Sequence, residues 1–591
     1  MALAALLKNR TTPGVYITEF PAFGNSIVGV PTAVPIFVGY TEFAADPASG
    51  KQLYNQAVSL TSMADYQSYF GGGFDTQYAV GLAIANGPPP PSGSAVSGGA
   101  AAPAPKSDYD FQALAWDASS STVKPLNFVV QADDRGDAIT PRFNLYMAMN
   151  LFFANGGSNC FVVSVSDYWD SQSTGPQTGS LTPTTVDKQK LIDGLAVAQN
   201  TRGPTMIAVP DACLLTTQQD GQYPDYNGVV QSMLSQAGTQ QDRVAIIDLP
   251  GALDPTSWKS INNKNFQNQR DAMASAVSAE QQFASYGAAY GPAIEASVLT
   301  LDDVNFTNLQ GSQASINWMN NLLTVQAQTA FTDPDKLQFV QTAIALAFPA
   351  SADCPFKPLS TGGAAGAALT SDQIETTSKN LRNALPLLQQ IEQILVTKLN
   401  IAPPSGAIAG IWSANDASRG VWNAPANMTL ASVLSPKVLI TDLQQGQYNV
   451  PLDGYSVTIL RAMPSRGVVV WGARTLDGNS NDYRYIQVRR TLIYIEQSIK
   501  EALQPYVFAA NDGQTWVTVT AMIANFLTNL WKAGGLMGDK ASEAFTVNCG
   551  LGSTMTGQDI LNGYMIVSVS LQMIHPAEFI ELTFTQMMQG A

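Results

Sequence analysis

Two short β-prone runs stand at the ends of the chain, and neither has a sequence neighbour to pair with. At the N-terminus, Pro13-Gly14 precedes Val15-Tyr-Ile-Thr-Glu-Phe20, and Pro21, Gly24, Gly29 and Pro31 then interrupt the chain. At the C-terminus, Ala577 to Met587 alternates Ile580, Leu582 and Phe584 against Glu581, Thr583 and Thr585. His575-Pro576 cuts that run off from what precedes it. A lone strand leaves its backbone groups unpaired, and breakers on its flank stop it folding back on its neighbours. Each run must pair with something distant, so the chain reads as a body with a hinged strand at either end.

Between the arms the pattern is that of a mixed α/β body. Val34-Pro-Ile-Phe-Val-Gly-Tyr40 predicts a first strand, and Ser62 to Phe70 a short helix ending at Gly71-Gly-Gly73. Residues 86–107 are Pro-, Gly-, Ser- and Ala-rich and predict a flexible exposed loop. From Arg142 to about Ile247, helix-like stretches alternate with apolar runs such as Cys160–Val165, Met206–Val209 and Val244–Ile247, which suggests an α/β layer. Residues 250–400 are Gln/Ala-rich and helical in pattern, closing with Leu381 to Leu399. Val488, Leu492, Ile495, Ile499 and Leu503 then fall on one helical stripe, with Glu496 and Lys500 spaced as an i,i+4 pair. Val519, Ile523, Phe526 and Leu530 predict a second helix that stops at Gly534-Gly535. From Gly563 to Met573, the residues Met565, Val567, Val569, Leu571 and Met573 share one face of a strand.

Composition excludes several function classes. At 591 residues, two to four domains are expected, and 45 % hydrophobic residues supply a large core. Only 13 % of residues are charged, about half the ~25 % of a typical soluble domain. Thirty Lys+Arg against 45 Asp+Glu give a net charge of −15, the wrong sign for neutralising phosphates, so no nucleic-acid partner is expected. A surface poor in charge suits burial against other subunits. The single histidine, His575, is too few for HExxH or Cys2His2 metal sites. Cys160, Cys213, Cys354 and Cys549 lie far apart without a CxxC, so they read as small core residues in a reducing compartment. No apolar run reaches the ~18–20 residues of a membrane span. Met1 to Leu7, with Lys8 after it, is too short for a signal segment. Synthesis in the cytoplasm, with no direct membrane insertion, is therefore expected.

Catalytic motifs find no support. Gly550-Leu-Gly-Ser-Thr-Met-Thr-Gly557 resembles a phosphate loop only superficially, since no Gly-Lys-Ser/Thr follows, and it reads as a tight inter-strand loop. Gly50-Lys51 is followed by Gln52, and Ser121-Thr-Val-Lys124 lacks its companion motifs. Asp133-Asp-Arg-Gly-Asp137 reads as a solvated turn. No catalytic, cofactor-binding or metal residues are assigned.

One stretch carries a specific resemblance. Pro403-Pro-Ser-Gly-Ala-Ile-Ala-Gly-Ile-Trp-Ser-Ala-Asn-Asp-Ala-Ser-Arg-Gly-Val-Trp-Asn-Ala-Pro-Ala-Asn427 resembles the signature of contractile tail sheath proteins. Arg461, Gly467–Leu476, Tyr485-Ile-Gln-Val-Arg-Arg490, Trp516, Trp531 and Pro576-Ala-Glu-Phe-Ile580 continue in the order of that family. Pro13–Tyr16, Phe153–Cys160, Ile207–Asp211 and Ile246–Pro250 look like family segments upstream. The resemblance is weakest in 86–125 and 255–400.

The resemblance implies a structural protein, not an enzyme, without cofactors. Sheath subunits stack as hexameric rings around an inner tube, between baseplate and terminal cap, and contract on a trigger. The implied fold is a multidomain α/β (α+β) chain. Its sheath core would be built from N- and C-terminal parts, with α/β domains inserted and terminal strands exchanged between subunits. The expected domains are an N-terminal arm over 1–33, outer α/β domains over 34–400, a core over 401–576 and a C-terminal arm over 577–591. Val15, Tyr16, Ile17, Thr18, Phe579, Ile580, Leu582 and Phe584 would then make the strand exchange. Bending would fall on residues 21–31 and Ile574-His575-Pro576. On so acidic a chain, Arg489, Arg490 and Lys500 stand out as expected contacts to an acidic inner tube, with internal salt bridges as the alternative. A non-contractile surface or adhesin-like assembly protein is the competing reading of the whole. A phage virion and a tail-like injection system share these features.

Overall fold

The computed structural model describes residues 27–83, 109–117, 120–131, 143–169, 184–217, 223–254, 258, 263–351 and 369–582. The chain divides into two compact units, one of residues 31–490 with 577 onward, the other of 491–576 with the segment up to residue 30.

The larger unit starts with β1 (Pro35–Thr41), β2 (Ala57–Leu60), α1 (Met63–Phe70), β3 (Ala79–Leu82), β4 (Phe111–Asp117) and β5 (Thr122–Gln131). There follow α2 (Leu145–Ala154), β6 (Cys160–Asp167), α3 (Lys188–Asn200), β7 (Met206–Ala208), α4 (Pro224–Gln240), β8 (Val244–Asp248) and α5 (Lys264–Ser278). Next come β9 (Gly287–Gly291), β10 (Ile294–Ala296), α6 (Gln313–Ala330), α7 (Pro334–Ala347), α8 (Ser371–Ala384) and α9 (Pro386–Leu399). The unit closes with β11 (Ile401–Ala402), α10 (Ser405–Arg419), β12 (Val433–Pro436), α11 (Asp442–Asn449), β13 (Val457–Met463) and β14 (Gly467–Trp471).

Eight strands form its main sheet in the order β14-β13-β9-β8-β7-β1-β6-β2. Neighbours from β6 to β13 run parallel, and the edge strands β2 and β14 are antiparallel to theirs. All seven residues of β1 and all five of β8 are buried. Parallel strands covered on both faces need such unbroken apolar runs. The predicted first strand, the Ser62-capped helix and the three apolar runs all stand where expected. On one face α10 lies so close to α2 that a Cβ on Gly406 would sit 2.2 Å from the Ala148 carbonyl oxygen, and one on Gly410 2.5 Å from that of Phe152. Only glycine fits at either position.

A second hydrophobic core joins the sheet β3-β5-β4 to α6–α9, with Phe111, Phe128, Met319, Leu322, Leu388 and Ile391 inside it. The helical reading of 250–400 holds there, but the Leu381–Leu399 run is two helices. It breaks at Pro386, which cannot continue the hydrogen bonding of α8 and instead starts α9.

The expected boundary at residue 401 is corrected. β13 pairs with β9 (Val457 opposite Ala289) and β14 pairs with β13, so residues 401–490 complete the main sheet instead of opening a separate domain. The division falls inside α12 (Ile486–Leu503), between Arg490 and Thr491. The smaller unit continues with α13 (Gly513–Lys532), α14 (Ala541–Ala544), β15 (Phe545–Cys549), α15 (Gly557–Leu561) and β16 (Val567–Leu571). The 86–107 loop and the Asp133–Asp137 turn lie outside the described residues.

Candidate functional site

The smaller unit holds a two-stranded sheet. β15 and β16 pair antiparallel from Phe545 opposite Leu571 to Cys549 opposite Val567. Phe545, Val547, Val567, Val569 and Leu571 are half-buried, whereas Thr546, Asn548, Ser568 and Ser570 are exposed. Below the apolar face runs the predicted stripe of α12. Leu492, Ile495, Ile499 and Leu503 face Val567, Val569 and Leu571 across an open groove of about 590 Å³, with Glu496 and Lys500 in its wall. A two-stranded hairpin is marginal in water, and each of its edges is a template for another strand. The Gly550–Gly557 segment opens the connection between these strands, but that connection is no tight loop: it runs over 550–566 and includes α15.

The roots of both arms are fixed. In the smaller unit, Val30 N donates to Ser498 Oγ at 3.1 Å, and Gly29 lies against the Tyr494 ring, where a Cβ would come within 2.1 Å of the hydroxyl oxygen. In the larger unit, the Arg490 guanidinium donates to the Thr32 carbonyl at 3.0 Å and to both Asp416 oxygens at 2.5 and 3.0 Å. It also stacks 4.6 Å from the Trp412 ring centre. At the other end Glu578 accepts from Arg474 at 2.6 Å, Asn449 at 2.6 Å and Tyr485 at 2.9 Å. Burial opposes ionisation of Glu578, but Arg474, Asn449 and Tyr485 outweigh it and hold the carboxyl below its ordinary range. Immediately beyond, Phe579, Ile580 and Leu582 are 75, 77 and 73 % exposed and, among the described residues, pair with no strand. Sequence reasoning missed this clamp, although Glu578 sits in the Pro576–Ile580 motif.

The expected tube contacts are corrected in part. Arg489 and Arg490 are buried and cannot meet a partner's surface. Arg489 is sandwiched between Tyr286 and Tyr483, 4.3 and 3.9 Å from their ring centres, and donates to Ser285 Oγ at 2.7 Å. Arg490 is spent on Asp416, the internal alternative. Only Lys500 of the three is exposed. Val15, Tyr16, Ile17, Thr18 and Phe584 lie outside the described residues.

Where an α/β sheet usually holds a ligand, this chain holds its own carboxylates. The strand order reverses between β1 and β7, and the crevice beyond the carboxyl ends of such strands is the common binding place. Asp211 fills it, accepting Tyr40 N at 3.0 Å and Asn144 N, at the start of α2, at 2.6 Å. Asp248, at the end of β8, accepts Ser405 N at the start of α10 at 2.9 Å. Burial pushes these carboxyls up to about 6 and about 7, against the pull of their donors. Each of these two helix N-termini thus already has a carboxyl group of the chain itself docked on its free backbone N–H. Cys160 and Cys213 are buried and Cys549 half-buried, all as free thiols. Among the described residues no group of His, Cys, Asp and Glu is placed to hold a metal ion, and no helix is long and apolar enough to cross a membrane.

Comparison with known proteins gives this geometry a context. Residues 479–587 match the family described as the phage tail sheath C-terminal domain. A stretch of 134 residues is 25 % identical to the tail sheath protein of Vibrio phage KVP40, covering 23 % of this chain and 20 % of that one. The matched stretch therefore spans about a fifth of that relative. Over 98 % of its length the chain shares its fold with a chain of the cryo-EM structure of the anti-feeding prophage baseplate, at 22 % identity and a TM-score of 0.50, covering 100 % of that chain. A chain of the anti-feeding prophage helical sheath in its contracted state is similar to the same degree, with 98 % of this chain and 99 % of that one covered.

Proposed function

We propose that this chain, which carries the phage tail sheath C-terminal domain over residues 479–587, is a structural subunit of a contractile sheath and not an enzyme. The observation that carries the reading is a two-stranded sheet and an exposed apolar arm segment on one chain. Among the described residues the β15–β16 hairpin pairs with no further strand beside its apolar groove, and the segment beyond Glu578 projects Phe579, Ile580 and Leu582 into solvent. The alternation of Ile580, Leu582 and Phe584 against Glu581, Thr583 and Thr585 matches that of β16, apolar inward and polar outward. Arms from neighbouring copies, Val15–Thr18 from one end and Phe579–Phe584 from the other, would extend the hairpin and roof the groove. This is β-augmentation, in which ladder hydrogen bonds supply affinity and alternate side chains supply register.

The assembly follows from the fixed roots. With Arg490 and Glu578 anchoring the arms to the larger unit, each body moves as a block while the donated strands stay paired. Hexameric rings would stack around an inner tube, with baseplate and cap proteins at the ends. Lys500 remains as an exposed basic contact for an acidic tube. Contraction requires a compact state that buries more surface. Each additional ~400 Å² of apolar contact per subunit would release about 10 kcal/mol as an upper estimate.

Electron microscopy of the purified full chain, alone and with its inner tube protein, tests the proposal. Tubes that shorten on a trigger are expected from the wild type, and soluble monomers from chains lacking residues 1–26 or 579–591. Normal tubes from either truncation would sink strand donation. Tubes that never shorten would favour a non-contractile surface assembly.

A further inference from the structure

The clamp on Glu578 leaves the C-terminal arm very little slack. Ile580 is the second residue beyond it, and at no more than ~3.6 Å per residue the two Cα atoms lie within about 7 Å. A strand pairs with its neighbour at about 4.8 Å. A hairpin edge that receives the arm from Ile580 onward must therefore come within about 12 Å of Glu578. The body behind that edge, residues 491–576, has an expected radius of gyration of about 12 Å. It cannot approach so near without resting on the surface around the clamp.

That surface carries exposed apolar side chains among polar ones. Asn449, which donates to Glu578, ends α11 and is followed by Val450 and Leu452, 52 and 104 % exposed. Leu443, on the same helix, is 87 % exposed. The three side chains line a groove of about 970 Å³ together with Lys264, Gln267 and the Arg270–Asp453 ion pair. We propose that Leu443, Val450 and Leu452 form the seat for the hairpin unit of the second copy that receives the C-terminal arm. The proposal rests on the strand-donation reading. The hairpin unit has apolar side chains to offer in return, with Leu551, Leu561 and Tyr564 59, 82 and 61 % exposed along the β15–β16 connection. The arm and the seat then act together: the short tether sets the distance, and the apolar contact sets the orientation.

The test uses the full chain with L443D and L452D together, beside a chain ending after Glu578. The double variant should stay a folded monomer with the wild-type unfolding midpoint, because both side chains are in solvent, and should lose at least tenfold in tube yield. If it assembles like wild type while the shortened chain does not, the seat is refuted and strand donation stands. If both assemble like wild type, strand donation fails and the seat with it. Should the double variant misfold, hydrogen exchange on wild-type chains decides: residues 442–453 should exchange more slowly in tubes than in monomers, and equal rates would overturn the proposal.

Discussion

Arg474 and Glu578 stand 104 residues apart in sequence and close on each other as a forked pair, Nη2 to Oε2 at 2.6 Å and Nε to Oε1 at 3.1 Å. The arginine side chain is 4 % exposed and the carboxylate 17 %. This pair determines where the body ends and the arm begins. The hinge expected at Ile574-His575-Pro576 is followed at once by an anchor, so the free arm starts at Phe579 and not at residue 577.

Replacing Glu578 by Gln should release that root. Removing one partner of a buried pair costs about 3–5 kcal/mol, here towards the lower end because the carboxylate keeps some solvent. Acid should act the same way. A carboxyl held below its ordinary range adds stability that is full above the unfolded value near 4.5 and is lost as pH falls through the lower folded value. Protection factors over 577–582, taken relative to the intrinsic exchange rate at each pH, should therefore fall in E578Q at pH 7 and in wild type as pH drops below the unfolded value near 4.5, with no further loss of protection in the variant.

Asp211 should show the opposite slope. Its carboxyl is raised to about 6 by burial, so between the unfolded value near 4 and the folded value the native state holds a proton that the unfolded chain releases. Stability from this group is greatest at low pH and declines as pH rises through that interval. Asp211→Asn cannot titrate and turns an N–H toward one of two backbone donors. Denaturant midpoints at pH 7, 5.5 and 4 should show wild type gaining on the variant by about 3 kcal/mol towards acid. A constant difference would mean that Asp211 ionises normally.

Gly410→Ala should weaken the larger unit without touching the hairpin. The added methyl meets the Phe152 carbonyl oxygen at 2.5 Å, a backbone atom that cannot swing aside. Overpacking of this kind costs about 1–3 kcal/mol. The urea midpoint read from the larger unit should fall, while hydrogen exchange of residues 545–571 stays as in wild type.

Two or three residues inserted between residues 22 and 25 should slacken the N-terminal tether upstream of the fixed points at Gly29, Val30 and Thr32. So short an insertion changes loop entropy by under about 1 kcal/mol, so folding and assembly should survive. Sheaths that form but stay extended under a trigger are the expected micrographs. Full contraction would show that this tether does not couple the rings.

Local periodicity was enough to read the elements of the site. The unbroken apolar runs of β1 and β8, the stripe from Val488 to Leu503 and the alternation of Val567, Val569 and Leu571 each follow from one residue's relation to the next few. The resemblance placed around Trp412 and Asp416 and continuing to Arg490 located the right segments, because those residues meet in one cluster. What they do there was settled by tertiary structure alone. A basic side chain on a helix looks alike in sequence whether it faces water or a carboxylate. Arg490 is buried because the fold brings up Asp416, 74 residues earlier, and Arg489 because it brings up Tyr286, 203 residues earlier. Likewise residues 401–490 belong with the first sheet because β13 finds its ladder partner in β9, more than 160 residues before it. Periodicity records which face of an element is apolar. It does not record which distant element covers that face or neutralises a charge on it, since those free energies arise only once the chain has closed.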